Sequence, residues 1–157
     1  MDKSKNVFIS HFHGDDAEIP KLKDLLGRKC YQLKNSSIDS TKPNQATNDE
    51  YIRRLLRLRI QWASTVIVLI SNKTHTRDWV NWEIDQANKK GKRIIGVFVN
   101  GASDSDIPES FKKYGQALVG WTGDKIIEAI EGYNNFETPT GDIAPNNPNW
   151  TSIRSNC

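Results

Sequence analysis

The sequence predicts an α/β fold in which helices cover both faces of a doubly wound, mostly parallel sheet. Two observations predict this class. Short β-branched segments alternate with amphipathic helical segments along the chain. In addition, residues 66–70 and 94–99 are apolar throughout and do not alternate with polar residues. Strands of this kind are typical of a parallel sheet buried between two helical layers.

Five strands and five helices are expected in order. The strands are predicted at residues 6–10, 31–34, 66–70, 94–99 and 117–119. The first helix follows a capping pattern of Asp15 with Glu18 and ends near Gly27, and the second follows Thr47 with Glu50 and reaches Ala63. The others are predicted at residues 77–90, at 107–114, and around the stripe of Ile126, Ile127 and Ile130. Residues 35–47 show no periodicity and are predicted to form a long loop.

The composition changes near residue 134. Residues 135–157 contain three prolines, five asparagines and only three charged residues. We therefore predict one domain over residues 1–134, followed by a polar tail over residues 135–157 that is flexible or loosely docked.

Charge and hydropathy argue against two classes of partner. The chain carries 22 Lys and Arg against 19 Asp and Glu, a net charge of +3, so no nucleic-acid partner is expected. The longest apolar run is residues 66–70, far shorter than a membrane span requires. The N-terminus shows no secretory signal pattern, and a cytoplasmic location with no membrane partner is expected.

The loop after the first strand contains a possible metal signature. Ser10 is followed by His11, Phe12 and His13, and the HxH spacing resembles the start of a metal-binding loop in metallo-hydrolases. Only one further histidine, His75, is present in the chain, so a binuclear zinc site lacks ligands. The favoured role of this loop is polar lining of a ligand crevice, because ligands of open α/β sheets bind at the carboxyl ends of strands. A metal-dependent hydrolase using His11, His13, Asp15 and His75 remains an alternative.

The helix after the third strand carries a second candidate. Trp79 and Glu83 are four residues apart and lie on one side of this helix, with Trp82 one step round. A carboxylate beside indoles at a crevice is a candidate for a substrate-binding or reactive acid. The alternative is a solvated Glu83 with tryptophans in the core. The arginines of the preceding helix, Arg53, Arg54, Arg57 and Arg59, are interpreted as a solvated face.

Four segments together resemble a TIR-like domain. They are NVFISHFHGDD, TVIVLIS, TRDWVNWEIDQANKKGKRIIGVFV and GWTGDKIIEAI, and the resemblance spans about residues 5–134. It is strongest to the bacterial branch that includes the signal-producing protein of Thoeris anti-phage defence. The resemblance implies a flavodoxin-like fold of three layers around a central, mostly parallel five-stranded sheet.

The resemblance also implies an enzyme. Catalytic TIR domains cleave the nicotinamide glycosidic bond of NAD with one glutamate, and Glu83 occupies that position. The residues that correspond to pocket lining are Phe8, Ser10, His11, Asp39, Ser71 and Trp79. NAD is then the substrate, no cofactor or metal is expected, and the product is a cyclic or otherwise modified ADP-ribose that serves as a defence signal.

The resemblance further implies partners. Residues 35–47 correspond to the loop that in TIR domains gates the pocket and mediates head-to-tail association, so TIR–TIR self-association is expected. An effector that senses the product and a phage-derived trigger are also implied. The main alternative is a non-enzymatic TIR interaction or scaffold module in which Glu83 is structural.

Overall fold

The computed structural model describes residues 3–11, 17–35, 49–72, 78–99 and 101–137. Strands and helices alternate through these ranges, as the sequence predicts. In chain order they are β1 (Lys3–Ser10), α1 (Glu18–Gly27), β2 (Tyr31–Asn35), α2 (Asp49–Trp62), β3 (Thr65–Ile70), α3 (Asp78–Lys89), β4 (Arg93–Phe98), α4 (Glu109–Tyr114), β5 (Ala117–Val119) and α5 (Gly123–Glu131).

The five strands form a single sheet in the order β2-β1-β3-β4-β5, and each of these pairings is parallel. This is the order of flavodoxin-like sheets, so the predicted fold class is confirmed. The chain moves from β1 outward to β2 and then returns to the other side of β1 as β3. Successive connections therefore leave the sheet in opposite directions at β1 and β3, which creates a crevice at their carboxyl ends.

Helices cover both faces of this sheet. On one face, Leu22 and Leu26 of α1 pack with Ile126 and Ile130 of α5 against the strands. On the other face, α2, α3 and α4 cover a second cluster that includes Ile60, Ile84 and Phe111. All six residues of β3 are buried, because this strand lies in the middle of the sheet between both layers. In the described ranges, no helix has the length and apolar character needed to cross a bilayer.

Gly96 allows α4 to lie close to the sheet. A Cβ atom built at this position of β4 would lie 2.7 Å from Cζ of Phe111 and 2.9 Å from Cδ1 of Leu118. Phe111 is fully buried, with 0% of its surface exposed. The absent side chain at position 96 therefore permits the contact that holds α4 on the sheet.

The start of β1, the cap of α1 and the start of α4 differ from the prediction by two or three residues. β1 begins at Lys3, because its backbone pairs with Tyr31 of β2 from that residue onward. The capping box predicted for Asp15 and Glu18 is wrong, because Ala17 is the N-cap of α1 and makes no side-chain cap hydrogen bond. Asp15 itself lies outside the described residues. α4 begins at Glu109 and not at residue 107, because Pro108 is extended and restricts the residue before it.

The chain pairs with β5 beyond residue 134. The amide of Leu118 donates to the carbonyl of Asn135 at 2.8 Å, and that of Glu137 donates to the carbonyl of Leu118 at 2.7 Å. The buried carboxylate of Glu137 also accepts the amide of Gly120 at 2.9 Å. Residues 135–137 thus extend the edge of the sheet. The rest of the predicted tail, 138–157, lies outside the described residues, and the domain division at residue 134 stays a prediction.

Gly96→Ala is expected to destabilise the protein by about 1–3 kcal/mol, because the new methyl group overlaps a buried ring. Chemical denaturation monitored by circular dichroism measures this change. The matched control is Gly27→Ala at the end of α1, where a Cβ meets no atom within 4 Å. Equal stabilities of the two variants would contradict the packing argument.

Candidate active site

α3 presents Glu83 to the sheet and not to solvent. Val80, Ile84 and Ala87 are buried on the same inward stripe of this helix, and Glu83 lies among them with 9% of its surface exposed. Trp79, one turn earlier, is 38% exposed. The alternative, a solvated Glu83 beside tryptophans in the core, is therefore wrong for this pair. The carboxyl group of Glu83 is buried, and the side chain of Trp79 is more exposed than that of Glu83.

β1 presents Ser10 to the same place. Side chains two residues apart on a strand point to the same face, and Phe8 packs in the core cluster that contains Val80 and Ile84 of α3. Ser10 therefore also faces α3. Its hydroxyl donates a hydrogen bond to Oε1 of Glu83 at 2.6 Å, joining two residues that are 73 positions apart in the chain.

Burial raises the pKa of the Glu83 carboxyl group. Loss of water around the carboxyl group raises the pKa of Glu83 to about 8, and the hydrogen bond from Ser10 opposes the rise only in part. Among the described residues, no cation forms an ion pair with Glu83. Near neutral pH the group therefore binds a proton readily, and a positive charge brought next to it would favour the carboxylate form.

The other residues predicted from sequence occupy different positions. Phe8 is 1% exposed and is part of the core beneath the site. His11 follows β1, and its Nδ1 lies 3.0 Å from the carbonyl oxygen of Ile9. Ser71 follows β3 and is buried. Of these residues, the structure brings Ser10 into contact with Glu83, while Asp39 lies outside the described residues.

Trp79 belongs to a stacked row of side chains between α2 and α3. The guanidinium of Arg53 lies 5.5 Å from the Trp79 ring centre, and that of Arg57 lies 5.6 Å from the Trp82 ring centre. The two indoles meet edge to face at 5.6 Å. This row is not predicted from the sequence, where the arginines are interpreted as a solvated face. The spacing of Arg53 and Arg57, one helical turn apart, is the signal that predicts such a row opposite tryptophans at a similar spacing.

The alternative metal site falls mostly outside the described residues. Of its four proposed ligands only His11 is described, while His13, Asp15 and His75 are not. Within the ranges that the structure covers, no group of three or more His, Cys, Asp or Glu side chains is placed to hold a metal ion.

The arrangement as a whole is a single buried carboxyl group at the crevice between β1 and β3. Such a group, in an apolar setting and held by one hydroxyl, is suited to stabilise a developing positive charge on a bound ligand. It also resembles the environment in which carboxyl groups serve glycoside chemistry with a raised pKa.

Comparisons with known proteins show the family of the chain. Residues 8–104 match the family model of the Thoeris protein ThsB, TIR-like domain. A protein of Bacillus cereus (strain MSX-D12), which carries the provisional name cyclic ADP-D-ribose synthase ThsB1, is 28% identical over 144 residues, covering 80% of this chain and 75% of the relative.

Solved structures are more distant in sequence. The CMP N-glycosidase BcmB of Clostridium botulinum is 16% identical with a TM-score of 0.49, covering 82% of this chain and all of the other. The TIR domains of the activated Roq1 resistosome are 17% identical with a TM-score of 0.43, covering 61% of this chain and 58% of theirs. At these levels the likenesses carry no argument about the reaction.

Glu83→Gln is expected to stabilise the protein at neutral and alkaline pH. The folded state keeps a proton on Glu83 that the unfolded state loses above its ordinary pKa of 4.5, so wild-type stability falls as the pH rises from 4.5 to about 8. Glutamine removes this cost, which reaches a few kcal/mol at about 1.4 kcal/mol per pKa unit. Denaturant unfolding of both proteins from pH 5 to pH 8.5 measures the difference.

The control for this comparison is Glu109→Gln, which removes a carboxylate that is 79% exposed on α4. Its effect on unfolding is expected to stay small across the pH range, because an exposed carboxylate loses little hydration. A stability gain for Glu83→Gln that is independent of pH would show that the carboxyl group is not buried as described.

Proposed function

Because the chain belongs to the Thoeris ThsB TIR-like domain family, we propose that it consumes NAD and releases a signal in anti-phage defence. The reaction cleaves the nicotinamide glycosidic bond and yields a cyclic or otherwise modified ADP-ribose. This reaction is of the NAD nucleosidase or ADP-ribosyl cyclase type. The 28% identical relative, named as a cyclic ADP-D-ribose synthase, supports the assignment.

One observation carries the proposal at the level of residues. Glu83, the glutamate of the proposed reaction, is buried at the carboxyl end of β1 and is bonded to Ser10 at 2.6 Å. A merely structural glutamate on the surface of α3 would face water. A dinucleotide whose ribose enters the crevice between β1 and β3 would meet this carboxyl group.

The proposed reaction uses the ionised carboxylate of Glu83 and not its protonated form. The bond from the ribose carbon to the nicotinamide nitrogen breaks, and its electron pair leaves with the neutral nicotinamide. No proton has to be given to the leaving group, because the bound ring is already cationic. Positive charge then develops on the ribose, and the carboxylate of Glu83 stabilises it, as carboxylates do in glycoside hydrolysis.

Formation of the product needs a nucleophile at the same carbon. Water gives ADP-ribose, a hydroxyl or adenine nitrogen of the same molecule gives a cyclic isomer, and another small molecule gives a conjugate. In each case a neutral nucleophile loses one proton, which Glu83 is placed to accept or direct. Exclusion of water from the reacting carbon would favour the second and third outcomes.

The proposed reaction uses NAD as a substrate and draws on no further cofactor. Phe8, His11, Asp39, Ser71 and Trp79 are proposed to line the pocket. The partners that we propose are a second copy of the TIR domain, an effector that senses the product, and a trigger derived from the phage. The protein is proposed to act in the cytoplasm.

Glu83→Gln is expected to lower nicotinamide release from NAD by at least about 1,000-fold, because the neutral amide stabilises no positive charge. Chromatography of nicotinamide and nucleotide products, with phage-infected extract added as the source of a trigger, measures the change. Glu109→Gln is the control and is expected to keep wild-type turnover. Equal release by wild type and Glu83→Gln would remove Glu83 from its role, and no turnover under any condition would favour the scaffold alternative.

The pH dependence reports which form of Glu83 is active. If the carboxylate is the active form, kcat/KM for NAD rises with pH and levels off above about 8, where Glu83 of the free protein is ionised. The rise of kcat with pH is expected at lower pH than the rise of kcat/KM, because the cationic nicotinamide ring of bound NAD favours the ionised form of Glu83. Initial rates from pH 5.5 to 9.5, corrected with enzyme-free blanks, give both profiles. A kcat/KM profile that falls through this range would assign Glu83 the role of an acid instead.

A further inference from the structure

Ser10 differs from the other proposed pocket residues because it contacts Glu83 directly. Its exposed fraction is 0%, and its hydroxyl is engaged with Oε1 of Glu83. The sequence predicts contact between Ser10 and substrate, which needs an accessible hydroxyl. In the structure, the hydroxyl instead contacts the carboxyl group of Glu83.

The hydrogen bond joins two rigid elements. Ser10 is the last residue of β1, which is paired on both sides, and Ser10 itself pairs with Val68 of β3. Glu83 lies near the middle of α3, between the buried residues Val80 and Ala87. A glutamate side chain has several rotatable bonds, and a hydrogen bond from a fixed backbone position restricts them to one arrangement.

The geometry also distinguishes the two oxygens of the carboxyl group. Oε1 accepts the hydroxyl of Ser10. Among the residues that the structure describes, none donates a hydrogen bond to Oε2. Within those ranges, Oε2 is therefore the carboxyl oxygen without a protein donor.

We propose that Ser10 is a positioning residue, which holds Oε1 of Glu83 so that Oε2 is presented to the ribose of the substrate. The proposal rests on the proposed function of Glu83 at NAD. Ser10 itself needs no contact with the substrate. It acts through the orientation of the carboxylate and through stabilisation of its negative charge.

The second effect has a definite direction. The hydroxyl stabilises the ionised carboxyl group and so lowers the pKa of Glu83, against the larger effect of burial. Ser10→Ala removes that donor without adding bulk. The carboxylate form then becomes harder to reach, and the rising limb of the pH profile moves to higher pH.

The test compares Ser10→Ala, Ser10→Thr and Ser110→Ala with the wild type. Ser10→Ala is expected to lower kcat for nicotinamide release about 10- to 100-fold, the usual effect of losing a hydrogen bond to a charged group, with KM for NAD within about 3-fold of wild type. The rising limb of kcat/KM against pH is expected to move to higher pH in Ser10→Ala. Ser10→Thr keeps a hydroxyl and is expected to return the limb to its wild-type position. Ser110→Ala removes another buried serine hydroxyl, on α4, and is expected to leave both parameters unchanged.

Two outcomes would overturn the proposal. An increase in KM with unchanged kcat in Ser10→Ala would assign Ser10 to direct substrate contact, and an unchanged kcat and pH limb would leave it without a role. Thermal unfolding of each variant checks that the fold is intact. If Ser10→Thr does not fold, the Ser10→Ala comparison decides the question alone.

A measurement without substrate separates this proposal from the proposed function. The carboxyl ¹³C resonance of Glu83, assigned by its absence in Glu83→Gln, is titrated in the wild type and in Ser10→Ala. The proposal expects a higher pKa of Glu83 in Ser10→Ala whether or not NAD is turned over. An unchanged titration rejects the role of Ser10, whereas absent turnover with a shifted titration rejects only the assigned reaction.

Discussion

The hydrogen bond between Ser10 and Glu83 connects the sheet to the helix layer at a place where a buried carboxyl group must be accommodated. Burial of this group opposes its ionisation, and a single hydroxyl compensates for only part of the lost hydration. The surrounding packing therefore sustains a locally unfavourable arrangement. Such an arrangement is typical of a functional site, where stability is lower than an apolar residue would permit.

The parallel sheet makes that arrangement possible. β1 and β3 are adjacent in the sheet but separated in the chain by α1, β2 and α2, so their carboxyl ends meet where the connections diverge. Both strands are paired along their lengths, which fixes the position of Ser10 relative to the helix layer. The same layer is held close to the sheet further along by the contact of Phe111 with Gly96. Precise placement of one side chain thus depends on packing across the whole face.

The α2–α3 surface has a different character from the crevice. Arg53 and Arg57 stack on Trp79 and Trp82, so charge and aromatic surface are combined in one row between α2 and α3. This row links α2 to α3 close to the turn of helix that carries Glu83. It accounts for Arg53 and Arg57 of α2, and for a tryptophan that is partly exposed although it is large and apolar.

The sequence by itself determined the order and type of the elements and the helix that carries Glu83. Periodicity and continuous apolar runs depend on local spacing, and such spacing is readable along the chain. Only the tertiary structure decided which side of α3 faces the sheet, that Ser10 donates a hydrogen bond to Glu83, and that two arginines of α2 stack on tryptophans. These facts depend on contacts between residues up to 73 positions apart, and no local pattern specifies such contacts. The boundary of α4 was likewise decided by the extended backbone at Pro108 and not by the apolar spacing of residues 107–114.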